Sequence, residues 1–433
     1  MRKLMTCLLL VAAGFATTTD AARPGGDAGA PSYPGENLAT LPGDKHSDAW
    51  GVNARGNVVG RSYNVGRQTP TLIKAFYWNG AMRRLLPATE VPAGEIPWDS
   101  EAWAISNEAT ETVVGLEERT VCIPDPNDDT QRICDYEQYP LVWKDPASSV
   151  VAERIDASSG RAFGINGSGD LAVGWCGGGI GAVWSRSGGG WSRTTIQSGA
   201  FPAEDLVPSF PDGHDLTGHV IEFSGTAFDV NDEGVVVGSL TWIDRTAEAA
   251  CLATDVRPCA EDVAYSRAFI YFAKAGYGPG SGTGRVLPSP SGHTESSAYA
   301  VSDLVSSDTA FYVAGSTRVH PDDDWGNGIR WTVSLDGQGV QAVELDVLEQ
   351  QAWSQGVNEA GHVAGTTNSK TSRRGNVVQT ATLFQQSVGY VSLTPPKGGS
   401  DSASRAMAGV GPIYVVGSAN VKGAWQAARW TIP

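Results

Sequence analysis

The chain repeats itself seven times, and that recurrence limits the folds open to it more than any other property of the sequence. AWGVNARGNVVG (49–60) has counterparts in AWAISNEATETVVG (102–115), AFGINGSGDLAVG (162–174), AFDVNDEGVVVG (227–238), AYAVSDLVSSDTAFYVAG (298–315), SQGVNEAGHVAG (354–365) and AMAGVGPIYVVG (406–417). Each copy closes on a glycine: Gly60, Gly115, Gly174, Gly238, Gly315, Gly365 and Gly417, spaced 50 to 77 residues apart. Periods of this size mean that one supersecondary unit, unable to bury its apolar faces alone, stacks against copies of itself.

Every unit has a second half. AFYW (75–78), LVW (141–143), AVW (182–184), AFIY (268–271), IRW (329–331), ATLF (381–384) and ARW (428–430) read as a third strand, and RRLLP (83–87), RVLP (285–288) and VSLTP (391–395) as a fourth. Helical periodicity is nearly absent and 53 Gly and 24 Pro punctuate the chain, so the class is all-β. Asn53, Asn166, Asn231 and Asn358 stand three residues before Gly56, Gly169, Gly234 and Gly361. An Asn that accepts its own backbone N–H, followed by a glycine at φ > 0, predicts a tight hairpin between first and second strands. First strands alternate small residues (Ala49 and Gly51, Ala162 and Gly164, Ala298 and Ala300, Ala406 and Ala408), whereas third strands end in aromatics. Small at the centre and bulky further out suits wedges around an axis, and seven four-stranded wedges predict a seven-bladed β-propeller.

The last unit stops at AARWTIP, after its third strand. ENLATLPGD (36–44) looks like the fourth-strand segments, so this N-terminal strand is expected to complete the C-terminal blade and remove sheet edges that would template aggregation. The rival is an open β-solenoid, for which these units are long and which would need caps. The expected organisation is a signal peptide (1–22), a flexible linker (23–36) and one propeller domain (37–433).

The composite L-x-x-L-P-G, S-x-A-x-G-I-N-x-x-G-x-V-V-G and A-F-x-W, clearest in residues 38–60 and 75–78 and traceable over 38–433, resembles the HAF-type extracellular repeats of exported bacterial proteins. The resemblance implies a propeller-like exported protein and supplies no catalytic residue. The chain departs from that pattern at Ser106 and Ser302, which stand at the Asn position, at Val410 there in the last unit, and at Lys74 and Arg267, where the family often has His.

The first 22 residues carry Arg2 and Lys3, an apolar stretch from Leu8 to Ala16 and small residues before a cut after Ala21 or Ala22, the pattern of a secretory signal peptide. The apolar stretch falls short of the roughly 20 residues that a membrane span needs, so a periplasmic or extracellular protein with no membrane span is expected. Removing the leader's two bases and one acid deepens the formal charge from −16 to −17. Such a surface repels phosphate backbones and argues against nucleic acid as a partner. In an exported chain the local pairs Cys122/Cys134 and Cys251/Cys259 read as disulfides, each closing a short loop and contributing about 2–3 kcal/mol. Cys176 is left over as a buried thiol. Without closer spacing or histidine companions these cysteines fit no zinc site; no metal or other cofactor is expected, and the protein is expected to be a monomer.

Links between second and third strands look long (61–74, 116–140, 239–267, 316–328 and 366–380) and share one face of the disc with the links between blades. Long loops on a rigid scaffold are where binding groups collect. The binding candidates there are His214 and His219 in FPDGHDLTGH and Asp322, Asp323, Asp324 and Trp325 in HPDDDW. Neither HPDDDW nor the second acidic cluster, DPNDD (125–129), has calcium-loop spacing. Trp98, Trp175, Trp191 and Trp242, outside the third-strand slot, are expected to pack within or between blades. There is no G-x-S-x-G elbow and no H-E-x-x-H, and the Gly-rich GSGTG (280–284) lacks the strand-to-helix context of a phosphate cradle. These features point to an exported, non-catalytic binding or scaffold propeller whose long-loop face engages a protein or glycan partner. The alternative is an extracellular polysaccharide hydrolase or lyase with carboxylates at the central channel, for which Asp229 in AFDVN is a candidate. Two carboxyls about 5–10 Å apart at the channel mouth would favour that alternative, and a channel lined only by Ala, Gly and Ser would remove it.

Overall fold

The computed structural model describes residues 31–433 apart from 66–71, 90–96, 126–127, 203–204, 206–220, 245–262, 276–279, 294, 306–309, 320–325, 337–338, 350–351, 371–376 and 386–387. Seven antiparallel four-stranded blades form a closed ring, a seven-bladed β-propeller with almost no helix. The innermost strands are His46–Val52, Asp99–Ile105, Gly160–Ile165, Ile221–Val230, Glu295–Val301, Ala352–Val357 and Gly399–Ala408. Each packs on the next, and the seventh packs on the first.

The ring closes as the N-terminal segment predicts. Glu36–Ala39 pairs antiparallel with Ala424–Ile432 (Glu36↔Arg429, Asn37↔Ala428, Ala39↔Ala427) and supplies the seventh blade's outer strand. Leu38 and Leu41 are each 4% exposed in a cluster with Val416, Ala427 and Phe76. Ser47 Oγ donates to the Ala39 carbonyl (2.6 Å) and accepts from the Ala427 N–H (2.8 Å), tying strand, last blade and first blade together. Part of the segment expected as linker is ordered: Ser32–Pro34 runs parallel to Gly389–Thr394 as a fifth strand of the sixth blade. That outer strand offers unpaired backbone groups, and Tyr33 packs on the apolar cluster behind it.

The repeated glycine has a steric cause. In all seven blades the ladder between first and second strands slips by one residue, between Ala49/Gly51, Ala102/Ala104, Ala162/Gly164, Ala227/Asp229, Ala298/Ala300, Ser354/Gly356 and Ser404/Ala406. This β-bulge drives a first-strand carbonyl against the closing glycine. A Cβ there would lie far inside the 3.0 Å that real contacts respect, on the carbonyl oxygens of Asp48, Glu101, Arg161, Thr226, Ser297, Trp353 and Ala403 in turn. Neighbouring first strands approach as closely: a Cβ at Gly51 would meet the Trp103 carbonyl oxygen at 2.6 Å, and one at Gly164 that of Phe228 at 2.7 Å. The small residues therefore serve backbone contact between blades.

The turn asparagines are buried, and three of the four hold two blades at once. Asn53 Oδ1 accepts from the N–H groups of Arg55 and Asn57, while its Nδ2 donates to the Ser106 carbonyl of the next blade (3.1 Å). Asn231 and Asn358 donate likewise to Ser302 (2.9 Å) and Gly409 (2.8 Å). Asn166 instead donates within its own turn, to Ser168 and Asp170. Gly56, Gly169, Gly234 and Gly361 all take positive φ, from 66° to 79°. Ser106 and Ser302 keep the acceptor role, taking the N–H of Thr112 and of Tyr312 on their hydroxyls. In the last blade the pairing Met407↔Val415 and Ala408↔Tyr414 puts Ala408 at the Asn position. This corrects the assignment of Val410; the insertion around Gly409–Pro412 shifts the alignment by two.

Further out, third-strand tryptophans anchor three of the blades to their predecessors. The indoles of Trp143, Trp331 and Trp430 donate to the carbonyls of Leu86, Pro288 and Thr394, at 2.7–2.8 Å. Trp98 and Trp242 are buried and Trp191 packs on a core cluster, as packing residues should.

Among the described residues the long links are largely strand. Thr112–Asp125 and Asp128–Lys144 stay paired from Thr112↔Lys144 to Asp125↔Asp128, and Val235–Asp244 stays paired with Val263–Phe272 throughout. The second and third strands simply outgrow the blade, because their backbone groups satisfy one another on the way out.

Candidate functional site

The bulge that requires the glycine also frees one residue per blade. The skipped residues are Trp50, Trp103, Phe163, Phe228, Tyr299, Gln355 and Arg405, and all seven line a central cavity of ≈ 930 Å³. Trp50 to Gln355 are half-buried and Arg405 is exposed to the channel, whereas the residue preceding each is buried. Extrusion by the bulge lets a large side chain stand at the axis between residues that must stay small.

The seven form an asymmetric ring. Trp50 and Trp103 meet edge to face, as do Trp103 and Phe163 (centroids 4.8 Å apart). Phe163–Phe228 (5.8 Å) and Phe228–Tyr299 (5.3 Å) continue an aromatic arc over five blades. Such spacings are those at which ring quadrupoles attract. Gln355 and Arg405 fill the remaining sector. With its amide oriented to suit both neighbours, Gln355 donates to the Ser404 carbonyl (2.6 Å) and accepts from Arg405 Nη1 (3.1 Å). The cavity lining runs from the bulge residues to turn residues such as Ala54, Asn107 and Asn358, so it opens toward the face of the tight turns.

Arg61 also borders the cavity, 4.6 Å above the Trp50 ring, but is neutralised by Asp48 (3.0 Å) and Glu101 (2.8 Å). Burial lowers the Arg405 guanidinium, opposed by the field of Asp48. Arg405 is exposed to the channel and makes no ion pair among the described residues. The Trp103 indole N–H is buried without an acceptor.

Asp229, Asp303 and Glu359 supply the cavity's carboxylates. Asp229 accepts the N–H of Val230 (2.9 Å) and, across the blade boundary, of Val301 (3.0 Å). Desolvation outweighs those donors and pushes its carboxyl up to about 7. Asp303 accepts from the Asp232 N–H (2.9 Å) and is raised to about 6, chiefly by burial and then by the neighbouring Asp232 and Glu233. Both act as straps between the fourth and fifth blades.

The sequence candidates on the long-link face, His214, His219, Asp322, Asp323, Asp324 and Trp325, lie outside the described residues, as do Cys251 and Cys259. Cys122 and Cys134 are direct cross-strand partners in backbone register, and their side chains lie outside the described residues. Cys176 is a buried free thiol, which burial pushes above the usual cysteine range. Of the candidates, Asp229 does reach the channel. The aromatic arc was missed, although its residues stand at a fixed place, directly after the first small residue of each repeat.

Fold and cavity together define the class: a seven-bladed β-propeller with an aromatic-lined axial channel. No protein-family model matches the chain, and no curated protein is similar to it in sequence. Among solved structures it is similar to a Penicillium chrysogenum α-L-arabinanase complexed with arabinobiose (TM-score 0.34, 7% identity, 92% of this chain and 97% of that one). A Trypanosoma rangeli sialidase in complex with 2,3-difluorosialic acid follows (TM-score 0.35, 7% identity, 90% of this chain and 54% of that one), and then the tricorn protease (TM-score 0.18, 10% identity, 83% and 42%). Similarity this loose carries no argument about chemistry. Among the described residues no helix is long and apolar enough to cross a membrane, and no group of three or more His, Cys, Asp or Glu is placed to hold a metal ion.

Proposed function

We propose that the protein is an exported binding propeller whose axial channel, on the side of the tight turns, holds a glycan. The observation that carries the reading is the arc Trp50–Trp103–Phe163–Phe228–Tyr299. A sugar ring presents C–H bonds that suit the negative faces of aromatic rings, and a concave, mostly apolar cavity of this size with a few fixed polar groups is what a small ligand or chain end needs. The commitment of both Asp229 oxygens to main-chain N–H groups supports binding over hydrolysis. The raised carboxyls of Asp229 and Asp303 keep glycan cleavage as the second reading.

Export rests on the leader, and the likeness to HAF-type repeats is supported by the coincidence of the motif's Asn and Gly with the tight turns at Asn53–Gly56, Asn166–Gly169, Asn231–Gly234 and Asn358–Gly361. A Cys122–Cys134 disulfide fits the same compartment, since directly opposed strand residues have Cα atoms about 4.5–5.5 Å apart, inside the range a disulfide spans. The test is a glycan array followed by calorimetric titration of the best neutral oligosaccharide. Trp103→Ala should weaken binding at least tenfold with the far-UV circular dichroism of the fold retained; because the indole also packs on Trp50 and Phe163, some loss of urea stability accompanies it. Failure of every glycan to bind, or equal affinity in the variant, would defeat the proposal, and reducing-end release on incubation would favour the hydrolase.

A further inference from the structure

Building on the channel-binding reading, we infer that Arg405 makes the channel selective for a glycan end that carries one carboxylate. Six of the seven bulge residues are aromatic or an amide; Arg405 alone is charged. Its guanidinium makes no ion pair among the described residues, whereas the channel's other cation, Arg61, is held by two acids. Gln355 fixes it from one side and is itself anchored on the Ser404 carbonyl. A guanidinium exposed to the channel and paired with no acid among the described residues presents its charge to whatever enters. The planar fork of arginine matches a carboxylate with two parallel hydrogen bonds.

Charge sets the number of anionic groups. A chain of net charge −16 repels polyanions, and the fourth to sixth blades bring Asp229, Asp303 and Glu359 to the cavity. One carboxylate can therefore be seated at the seventh blade, with its sugar ring lying toward Trp50 in the adjacent first blade, while a run of acidic sugars is refused.

The probes are a tetrasaccharide ending in glucuronic acid and its carboxyl-reduced, glucose-ended form, titrated into the full-length mature protein. Wild type should prefer the acidic form at least tenfold, and the preference should shrink as salt rises. Arg405→Gln should abolish the preference, weakening the acidic form at least tenfold more than the neutral one, and Arg405→Lys, which keeps charge but not the fork, should fall between. If Arg405→Gln does not fold, the lysine variant decides: an unchanged preference there overturns the assignment. Equal binding of both forms by wild type overturns the selectivity and leaves the channel reading standing. Binding of neither overturns both.

Discussion

Replacing the closing glycine of the third blade tests the link between bulge, glycine and channel. At Gly174 a methyl group would fall on the Arg161 carbonyl oxygen, with the Arg161 carbonyl carbon at 2.9 Å and Ala162 Cα at 3.1 Å. All are main-chain atoms, so no flexible side chain can give way. Relief requires the first strand to move, which strains the Ala162↔Gly174 and Gly164↔Val173 pairings. A lost ladder hydrogen bond costs about 1 kcal/mol net and overpacking a tight interior about 1–3 kcal/mol, so Gly174→Ala should destabilise by about 3–5 kcal/mol, a large part of the 5–15 kcal/mol that holds a domain folded. Gly190→Ala in the same blade is the control: nothing lies within 4 Å of its added Cβ and its φ is ordinary, so a change within about 0.5 kcal/mol is expected. Urea unfolding followed by tryptophan fluorescence compares the two. Because the bulge also presents Phe163, the first variant should lose channel affinity even where it remains folded. A loss below about 1 kcal/mol for Gly174→Ala would refute the steric account.

Three further outcomes follow from the closure, the buried acids and the thiols. Leu38→Ala, which empties a buried site on the closing strand, should cost about 2–5 kcal/mol and lower the urea midpoint; an unchanged midpoint would mean the strand is dispensable. Asp229 and Asp303 have folded pKa values above their ordinary ones, so between about pH 4 and 7 the folded state holds protons that the unfolded state has released. Stability should therefore fall as pH rises through that window and level off above it, and Asp229→Asn should flatten the profile; a stability rising from pH 4 to 7 in wild type and variant alike would contradict this. Cys176 should resist alkylation until the protein is unfolded, and non-reducing peptide mapping should recover Cys122 joined to Cys134.

Much of the fold was legible because the same local solution is written seven times. The Asn–Gly spacing specified each inner hairpin, and the absence of a fourth strand after Trp430 pointed to Glu36–Ala39 as its replacement. Legibility failed where partner and register decide. Residues 116–140 read as a loop because Pro, Asn and Asp crowd residues 124–129, yet strand pairing runs almost to the tip from both sides. Ser32–Pro34 carries no strand pattern of its own; the edge of the sixth blade imposes one. Ala408 was displaced by Val410 because the last turn is longer than the motif, and only pairing fixes the register.

The channel was hidden for a related reason. Alternation by two residues predicts that Trp50, between Ala49 and Gly51, points the opposite way from its small neighbours, into the packing between blades. The one-residue slip of the bulge breaks that rule, and the side chain emerges at the axis. The pattern of substitution within the chain follows from it. The flanking positions bear on neighbouring backbone and stay small in nearly every blade, whereas the extruded position bears on the cavity and runs through Trp, Trp, Phe, Phe, Tyr, Gln and Arg. Scaffold and channel lining are thus written in adjacent residues. Exchanges such as Gln355→Tyr should alter what the channel binds while leaving the urea midpoint nearly unchanged, and a stability loss comparable to that of Gly174→Ala would show that the two are not separable.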